Sequence, residues 1–325
     1  MSTTNSTQTG VSCTLDTCPL SMGIITYQPN IGGNAFFLSI FGTLFLVQLY
    51  FGIRRKTWSY LVAMVLGLVT EGVGYIGRLQ LHNDPFNFNY FLVDQSLNTS
   101  ARYLVCLTIG PAFLTAAIYI TFARVAYSCD ESLLWVRSTT VSIIFMTCDF
   151  ICLILQATGG AITSTSGGMT QEALDLRQTG VNVMIGGLSF QVVSLFSFIL
   201  YAAIYAWRWH FATKFDSYHV RIPPTHSGLR WKSMIFGLAI ASGTIFVRCV
   251  FRVAELKDGF SSSLANDEVA FMILEGTMIA IASICLTVGH PGLCLDIEWR
   301  LPKQVLQKGQ DGSSNVELEN VHVSN

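Results

Sequence analysis

The sequence EGVGYIGR, residues 71–78, lies inside an apolar run that extends from Tyr60 to about Leu81. A run of this length can cross a bilayer as a helix, because about 20 residues rising 1.5 Å each span the hydrocarbon core. Glu71 falls near the middle, where an ionised carboxylate facing lipid costs about 2.5–3.5 kcal/mol on insertion scales. Arg78 follows two helical turns later and shares the face of Glu71. The stretch therefore predicts a membrane helix whose charged face is hidden inside a bundle.

The composition of the whole chain is typical of a membrane protein. Of its 325 residues, 51% are hydrophobic and 12% are charged, whereas soluble domains carry about 25% charged residues. The net charge of −1 indicates no basic surface, so we expect no nucleic-acid partner. The first thirty residues contain no Lys or Arg and no apolar core, and we therefore expect the first membrane helix to act as the insertion signal.

Seven apolar runs of helical length divide the chain. We predict membrane helices at about 33–53, 60–81, 102–124, 138–162, 179–207, 231–252 and 268–293. The predicted fold class is an all-α polytopic membrane protein with a seven-helix domain over residues 32–294. Residues 1–31 are predicted to be a flexible segment and residues 295–325 a disordered tail. The fifth run is the longest, and we expect it to tilt or to extend beyond the bilayer.

Loop charges predict the side of the membrane on which each loop lies. Thirteen of the nineteen Lys and Arg residues fall in loops one, three and five and in the C-terminal tail, whereas only Arg177 and Lys257 fall in loops four and six. Positively charged loops remain in the cytosol. The N-terminal segment is therefore predicted to be extracellular and the C-terminal tail cytosolic. Two glycosylation sequons, at Asn5 and Asn98, then lie outside the cell.

This orientation predicts that Asn5, in the sequon Asn5-Ser6-Thr7, is glycosylated. Digestion with a glycosidase is expected to increase the gel mobility of the wild-type protein, and Asn5→Gln should lose the part of that shift that this site contributes. Protease added to intact cells should cleave a tag placed at residue 1. Cleavage of the tag only after the cells are permeabilised would contradict the orientation.

The nine cysteines do not have the spacing of a metal site. No pair shows the Cys-x-x-Cys pattern of a zinc knuckle, and His82 and His290 are predicted at opposite ends of the bundle, where they cannot share a metal. We expect no metal, no other cofactor and no enzymatic activity. Cys13 and Cys18 lie together in the N-terminal segment, where they are either a disulfide in the oxidising exterior or two free thiols.

Polar side chains recur at membrane depth on five of the predicted helices. The candidate site residues are Glu71, Tyr75, Arg78, Asp149, Gln156, Gln191, Arg248, Arg252, Glu255 and Glu275. In the predicted orientation most of them fall in the outer half of the bundle. Two roles are open: a salt-bridge network that joins helices two, four, six and seven, and a pocket for the polar head of an amphiphile. In the pocket, Glu275 is predicted to meet a cationic amine.

Short motifs of polar, proline and glycine residues follow one another along the chain, about one in each helix. They are Tyr27-Gln28-Pro29, Glu71 to Arg78, Pro111 with Ala117, Tyr119 and Arg124, Asp149 to Gly160 with Gln156, Gly186-Gly187 with Gln191, Arg248, Arg252, Glu255, Glu268 and His290-Pro291-Gly292. In this order they resemble the fungal RTA-like family of lipid-translocating exporters over about residues 27–292. The family usually has Asp where this chain has Glu275, so the charge is kept on a longer side chain.

The resemblance implies a seven-helix plasma-membrane protein linked to sphingoid-base release and aminocholesterol resistance. Such a protein is an exporter or translocator of lipids or toxic amphiphiles, for example sphingoid bases, sterol-like compounds or fungal metabolites. A seven-helix sensor or regulator that binds the same molecules is the alternative, since the predicted topology suits both. The sequence contains no GxxxxGK[ST] loop, so no ATP site is predicted. An intramembrane metal hydrolase is disfavoured, because such zinc sites use several histidines together.

Overall fold

The computed structural model describes residues 29–83, 102–129, 131–165, 171–215, 228–257 and 268–295. Within these ranges the chain is helical and contains no β-strand. Asn5, Cys13, Cys18 and Asn98 lie outside the described residues, as do most of the N-terminal segment and the C-terminal tail. The glycosylation, disulfide and tail assignments therefore stay predictions.

Among the described residues, seven helices are long and apolar enough to cross a membrane, which confirms the all-α fold class. The first six are α1 (Ile31–Arg55), α2 (Trp58–Asn83), α3 (Arg102–Cys129), α4 (Ser138–Thr165), α5 (Gln171–Phe215) and α6 (Leu229–Lys257). The seventh, α7, has three consecutive parts, which are Glu268–Phe271, a π-helical turn over Met272–Thr277, and Met278–Val288. A short helix, α8 (Pro291–Cys294), follows it. The chain is thus a multi-pass membrane protein.

Helices α1 to α6 extend further than the apolar runs that predicted them. α5 contains 45 residues, which is about 68 Å at 1.5 Å per residue and more than twice the ~30 Å hydrocarbon core. Its first turns, residues 171–179, are mostly exposed. The expectation that this helix tilts or extends beyond the bilayer agrees with its length.

The helices form a ring with α3 at its centre. Each helix contacts the next in chain order, and α7 returns to contact α1. α3 also contacts α6 and α7, and 67% of its membrane window is buried, a larger share than in the other described spans. Leu114, Ile118 and Tyr119 of α3 are fully buried. The polar side chains of α2, α6 and α7 are therefore shielded from lipid by a core built on α3.

The connection between α1 and α2 marks one end of the bundle, which we call the Lys56 end. Lys56 has a positive φ of 58°, a left-handed conformation that ends α1 and turns the chain directly into α2. Nearby, the Tyr60 hydroxyl donates a hydrogen bond to the Leu286 carbonyl oxygen at 2.8 Å. The end of α7 therefore lies beside the start of α2. Loop charge predicts that the Lys56 end is cytosolic.

The opposite end of the bundle, which we call the Pro29 end, holds the start of α1, the end of α2 and the start of α7. The Asn30 backbone N–H donates to Glu268 Oε1 at 2.5 Å, and His82 Nδ1 lies 2.7 Å from the Pro29 carbonyl oxygen. These contacts close the ring here as the Tyr60 contact does at the other end. The helices thus alternate in direction, as seven membrane crossings require.

Two glycines form a close crossing between α4 and α5. A Cβ atom on Gly159 would lie 2.7 Å from the Gly180 carbonyl oxygen, and a Cβ atom on Gly180 would lie 2.8 Å from the Gly159 carbonyl oxygen. The two backbones therefore occupy the space that a side chain would need, an arrangement by which small residues let membrane helices approach. The next residue, Gly160, has no such neighbour within 4 Å.

We expect Gly159→Ala to destabilise the protein relative to Gly160→Ala by about 1–3 kcal/mol, the usual cost of overpacking. Both changes replace glycine by alanine inside α4, so the gain in helix propensity cancels between them. Thermal unfolding of the two variants in the same detergent measures the difference. Equal unfolding midpoints would contradict the close approach of α4 and α5.

Candidate functional site

Glu275 of α7 forms ion pairs with two arginines of α6. Its Oε2 lies 2.7 Å from Arg248 Nη2 and accepts a hydrogen bond from Arg248 Nε at 3.0 Å. Its Oε1 lies 2.9 Å from Arg252 Nε, without the alignment of a hydrogen bond. Arg252 Nη1 in turn donates to Glu255 Oε2 at 2.7 Å. We call Arg248, Arg252, Glu255 and Glu275 the α6–α7 ion-pair cluster.

The ion-pair cluster is buried and balances its own charge. The exposed fractions of Arg248 and Glu275 are 3% and 2%, and two arginines face two glutamates. Ionised groups at membrane depth need such partners, because lipid offers none. The cluster therefore has one clear physical role, which is to join α6 to α7 within the hydrocarbon region.

The π-helical turn of α7 sets the direction of Glu275. A π turn holds one residue more than an α-helical turn, and such turns are frequent at functional sites. The residue after Glu275 is Gly276, where a Cβ atom would lie 2.7 Å from the Tyr75 hydroxyl oxygen. At this level α7 thus directs Glu275 toward α6 and its glycine toward α2.

The Glu71 carboxyl group is buried without a matching donor on Oε1. The residue is 1% exposed, and Oε1 accepts no hydrogen bond from the described residues. Arg248, Glu275 and Arg252 lie within electrostatic range, yet Glu71 takes part in none of the ion pairs found in the described part of the chain. Gly110 of α3 makes room for it, since a Cβ atom there would lie 2.5 Å from Glu71 Oε1.

Tyr75 extends the same buried face of α2 one turn beyond Glu71. Its ring lies 5.5 Å from the ring of Phe37 and 5.5 Å from the ring of Phe41, both on α1. The residue is 1% exposed. Glu71 and Tyr75 thus form a buried surface where α1, α2 and α7 meet. Its polar groups are the carboxyl and the hydroxyl, and aromatic rings surround them.

Arg78 lies nearer the Pro29 end and contacts both α1 and α7. Its Nε donates to Asn34 Oδ1 at 3.1 Å, and its guanidinium carbon lies 3.7 Å from the centroid of the Phe271 ring. Such a cation–π contact is stabilising when it is removed from water, and Arg78 is buried. Arg78 therefore lies on a buried side of α2, as Glu71 does, and its contacts include an amide and an aromatic ring.

Asp149 of α4 turns toward α3. Its Oδ2 accepts hydrogen bonds from Thr115 Oγ1 at 2.8 Å and from the Tyr119 hydroxyl at 3.0 Å. The prediction that helix four enters the salt-bridge network is therefore wrong for this residue. The rotation of α4 about its axis brings Asp149 Oδ2 to neutral hydroxyl groups rather than to an arginine, while Oδ1 accepts no hydrogen bond from the described residues.

Gln156 and Gln191 form a third, separate group between α4 and α5. Gln156 Nε2 donates to Gln191 Oε1 at 3.0 Å, and both residues are buried. Gly187 lies one turn before Gln191, and a Cβ atom there would lie 3.2 Å from Gln156 Cγ. Hydrogen bonds of this kind join helices inside membranes. The polar residues that were predicted to form one site therefore form several separate groups. Among the described residues, the charged group lies where α2, α6 and α7 meet.

Four residues that sequence reasoning missed complete these groups: Asn34, Gly110, Thr115 and Phe271. Asn34 was recognisable as an amide inside the first apolar run, where an unpaired amide is unfavourable. Gly110 and Phe271 have no polar side chain that would mark them in the sequence. A threonine such as Thr115 commonly donates its hydroxyl to a carbonyl of its own helix, so the sequence does not show that it contacts another helix. Their roles depend on which helix lies opposite, which the pattern of one helix does not contain.

The buried Glu71 carboxyl group is suited to bind the ammonium group of an organic ligand. Among the described residues, no three His, Cys, Asp or Glu side chains lie together in a position to hold a metal ion. His290 Nδ1 accepts from the Gly292 backbone N–H at 3.1 Å at the Lys56 end, far from His82 at the Pro29 end. The arginines are held by Glu275 and Glu255, whereas Glu71 Oε1 has acceptor capacity for a ligand ammonium group.

The fold and the buried charges together define a polytopic membrane protein, in which seven membrane-crossing helices enclose acidic residues and arginines. Ionisable residues at membrane depth usually lie along ligand or ion pathways. A family model described as "RTA1 like protein" matches residues 64–298. The chain belongs to the RTA1-like family, which confirms the resemblance seen in the sequence.

Three relatives show the reach of this similarity. The chain is 30% identical over 295 residues to the sphingoid long-chain base transporter RSB1 of Saccharomyces cerevisiae, covering 81% of this chain and 72% of the relative. It is 27% identical over 238 residues to Protein RTM1, covering 72% and 68%, and 22% identical over 278 residues to Protein RTA1, covering 83% and 78%, both from the same species. No solved structure was found to match the chain.

Proposed function

We propose that the protein is a non-enzymatic exporter of membrane amphiphiles that carry a cationic amine, such as sphingoid bases, and that it acts at the plasma membrane to confer resistance to them. One observation carries the proposal. The buried Glu71 carboxyl group has an oxygen without a hydrogen-bond donor, in a chain 30% identical to a sphingoid long-chain base transporter.

The chemistry of the site supports an amine head group as the ligand. An ammonium group has three N–H donors and a positive charge. It would supply the hydrogen-bond donor that Glu71 Oε1 lacks and a charge opposite to that of the carboxylate. A charge-assisted hydrogen bond to a buried carboxylate is about twice as strong as a neutral one. The Tyr75 hydroxyl, on the same face of α2, offers a further acceptor. An anionic head group would be repelled by the Glu71 carboxylate, and a neutral head group could supply a hydrogen bond but no positive charge.

The surroundings of Glu71 suit the remainder of an amphiphile. Phe37 and Phe41 of α1 pack beside Tyr75, and Leu68 lies buried one turn before Glu71 on α2. An alkyl chain next to these side chains would bury apolar surface, as small-molecule sites commonly do. The polar head would then lie at the carboxyl group and the chain along α1 and α2.

Transport by the purified protein tests the proposal. The protein is reconstituted into phosphatidylcholine liposomes, and the movement of a labelled sphingoid base between leaflets is followed with a membrane-impermeant quencher. We expect faster movement than in empty liposomes and in liposomes with a heat-denatured sample. A sphingoid base acylated on its nitrogen has no charge and should move at the background rate.

The same assay separates export from the alternative role of sensor or regulator. A sensor would bind the labelled base with saturation but would not accelerate its movement. Saturable binding with movement at the background rate in well-sealed liposomes would therefore contradict the export proposal and favour the alternative.

A further inference from the structure

A second candidate site lies between α3 and α4 at the Lys56 end of the bundle. It is a cavity of about 300 Å³, at the lower end of the range of about 300–1,000 Å³ for small-molecule sites. Ser59, at the start of α2, closes one side. The cavity shares no lining residue with the α6–α7 ion-pair cluster or with Glu71, so it is independent of the proposed export site.

The α3 wall of the cavity is a single helical face that is polar toward the loops. Ile120, Arg124 and Tyr127 line it with spacings of four and three residues, which place them on one side of a helix. Since α3 runs toward the Lys56 end, Tyr127 and Arg124 lie nearer the predicted cytosol and Ile120 lies deeper. Arg124 is partly buried and supplies the positive charge.

The α4 wall repeats the same order of polarity. Thr139, Ser142, Ile143 and Met146 line it on one helical face. Because α4 starts at this end, Thr139 and Ser142 lie beside Arg124, whereas Met146 lies toward the membrane interior. The two walls together are polar and cationic at the mouth and apolar at the base, as a lipid is polar at the head and apolar in the chains.

The cavity opens toward lipid and has no acidic lining residue. Ile143 lines the cavity and is nevertheless 55% exposed, so an acyl chain can pass it into the bilayer. Glu131, in the 3-10 turn before α4, is engaged through Oε1 by the Ser138 backbone N–H and hydroxyl, both at 2.8 Å. Arg124 lines the cavity and no acidic residue does, so the lining favours an anion.

We propose that this cavity binds a membrane lipid with a phosphate head group, taken from the leaflet at the Lys56 end. The phosphate lies at Arg124 with hydrogen bonds from Tyr127 and Thr139, and the first part of the chain leaves past Ile143. A guanidinium group and hydroxyl donors match the acceptor oxygens of a phosphate. A soluble phosphate ester shares this head-group chemistry but has no apolar part to occupy the base of the cavity.

Lipid retention by the full-length protein tests the site. The protein is held in dodecyl maltoside micelles, which contain no phosphate, with added phosphatidic acid or diacylglycerol of the same chains, and bound lipid is counted by native mass spectrometry. We expect phosphatidic acid to be retained over diacylglycerol, and Arg124→Gln to lower this retention about tenfold through loss of a charged hydrogen bond. Arg137→Gln removes the same charge from an exposed position immediately before α4 and should retain lipid like the wild type.

Two further arms keep the result decisive. Ala123→Leu fills the cavity, which Ala123 lines, without a change of charge, and it should also lower retention even if Arg124→Gln does not fold. Glycerol 3-phosphate should not displace the lipid. Unchanged retention in Ala123→Leu, or equal losses in the two arginine variants, would overturn the site. Full displacement by glycerol 3-phosphate would overturn the assignment to a lipid.

Discussion

Glu71→Gln is expected to abolish protection of cells against sphingoid bases while the protein folds and reaches its membrane normally. Glutamine keeps the size of the side chain and removes the negative charge that the proposed ammonium group needs. An unpaired carboxylate is unfavourable in a buried site, so the neutral variant should be at least as stable as the wild type. The measurement is growth of cells on graded sphingoid base, with the surface level of each variant quantified in the same culture.

Two variants control this prediction. Glu71→Asp keeps the charge on a shorter side chain and should retain part of the protection. Gln156→Leu removes a buried polar group from the α4–α5 pair, away from the proposed ligand, and should retain protection in proportion to its surface level. Full protection by Glu71→Gln at an equal surface level would show that the carboxyl group does not bind the amine.

Glu275→Ala is expected to have the largest effect on stability. The change removes the acid that neutralises Arg248 and contacts Arg252, and both arginines are buried. Breaking a buried ion pair from one side typically costs about 3–5 kcal/mol, because a charge is left without compensation. The solubilised variant should therefore unfold at a much lower temperature than the wild type, and less of it should reach the cell surface.

Glu255→Gln is the matched control for that change. Glu255 also pairs with Arg252, but its side chain is 13% exposed, and Arg252 keeps Glu275 when it is lost. We expect a cost of about 1 kcal/mol or less, as for other partly exposed pairs. Glu275→Asp retains the charge and should lie between the wild type and Glu275→Ala. Equal unfolding temperatures for Glu275→Ala and the wild type would remove the structural role of the ion-pair cluster.

The role of Glu275 illustrates a limit of the sequence. Its position near the outer end of the seventh helix predicts an acid available to a cationic ligand. In the structure both carboxylate oxygens face arginines, because the π-helical turn directs the side chain toward α6. No pattern of residues in α7 predicts that turn. We therefore propose Glu71 as the site of the amine. The sequence identified its charge as unusual, but only the packing shows that its Oε1 accepts no hydrogen bond from the described residues.

The seven helices could be predicted because each must be apolar over the full thickness of the hydrocarbon core. Their ends could not, since α5 continues through polar residues on both sides until Gln171 and Phe215. Hydropathy identifies the residues of a helix that lie in the hydrocarbon core. It does not indicate where the helix ends outside the membrane. Rotation about the helix axis was likewise unpredictable, and for this reason Asp149 meets the hydroxyls of Thr115 and Tyr119 rather than an arginine.

The most direct test of amine recognition at Glu71 is equilibrium binding to the purified protein. Wild-type protein and Glu71→Gln are titrated with a sphingoid base and with its N-acylated, uncharged analogue. A charged hydrogen bond contributes about 1.5–3 kcal/mol, and each 1.4 kcal/mol is about tenfold in affinity. The wild type should therefore prefer the free amine by about tenfold or more, and Glu71→Gln should bind the two compounds equally. The same preference for the free amine in both proteins would contradict the assignment of the amine to Glu71.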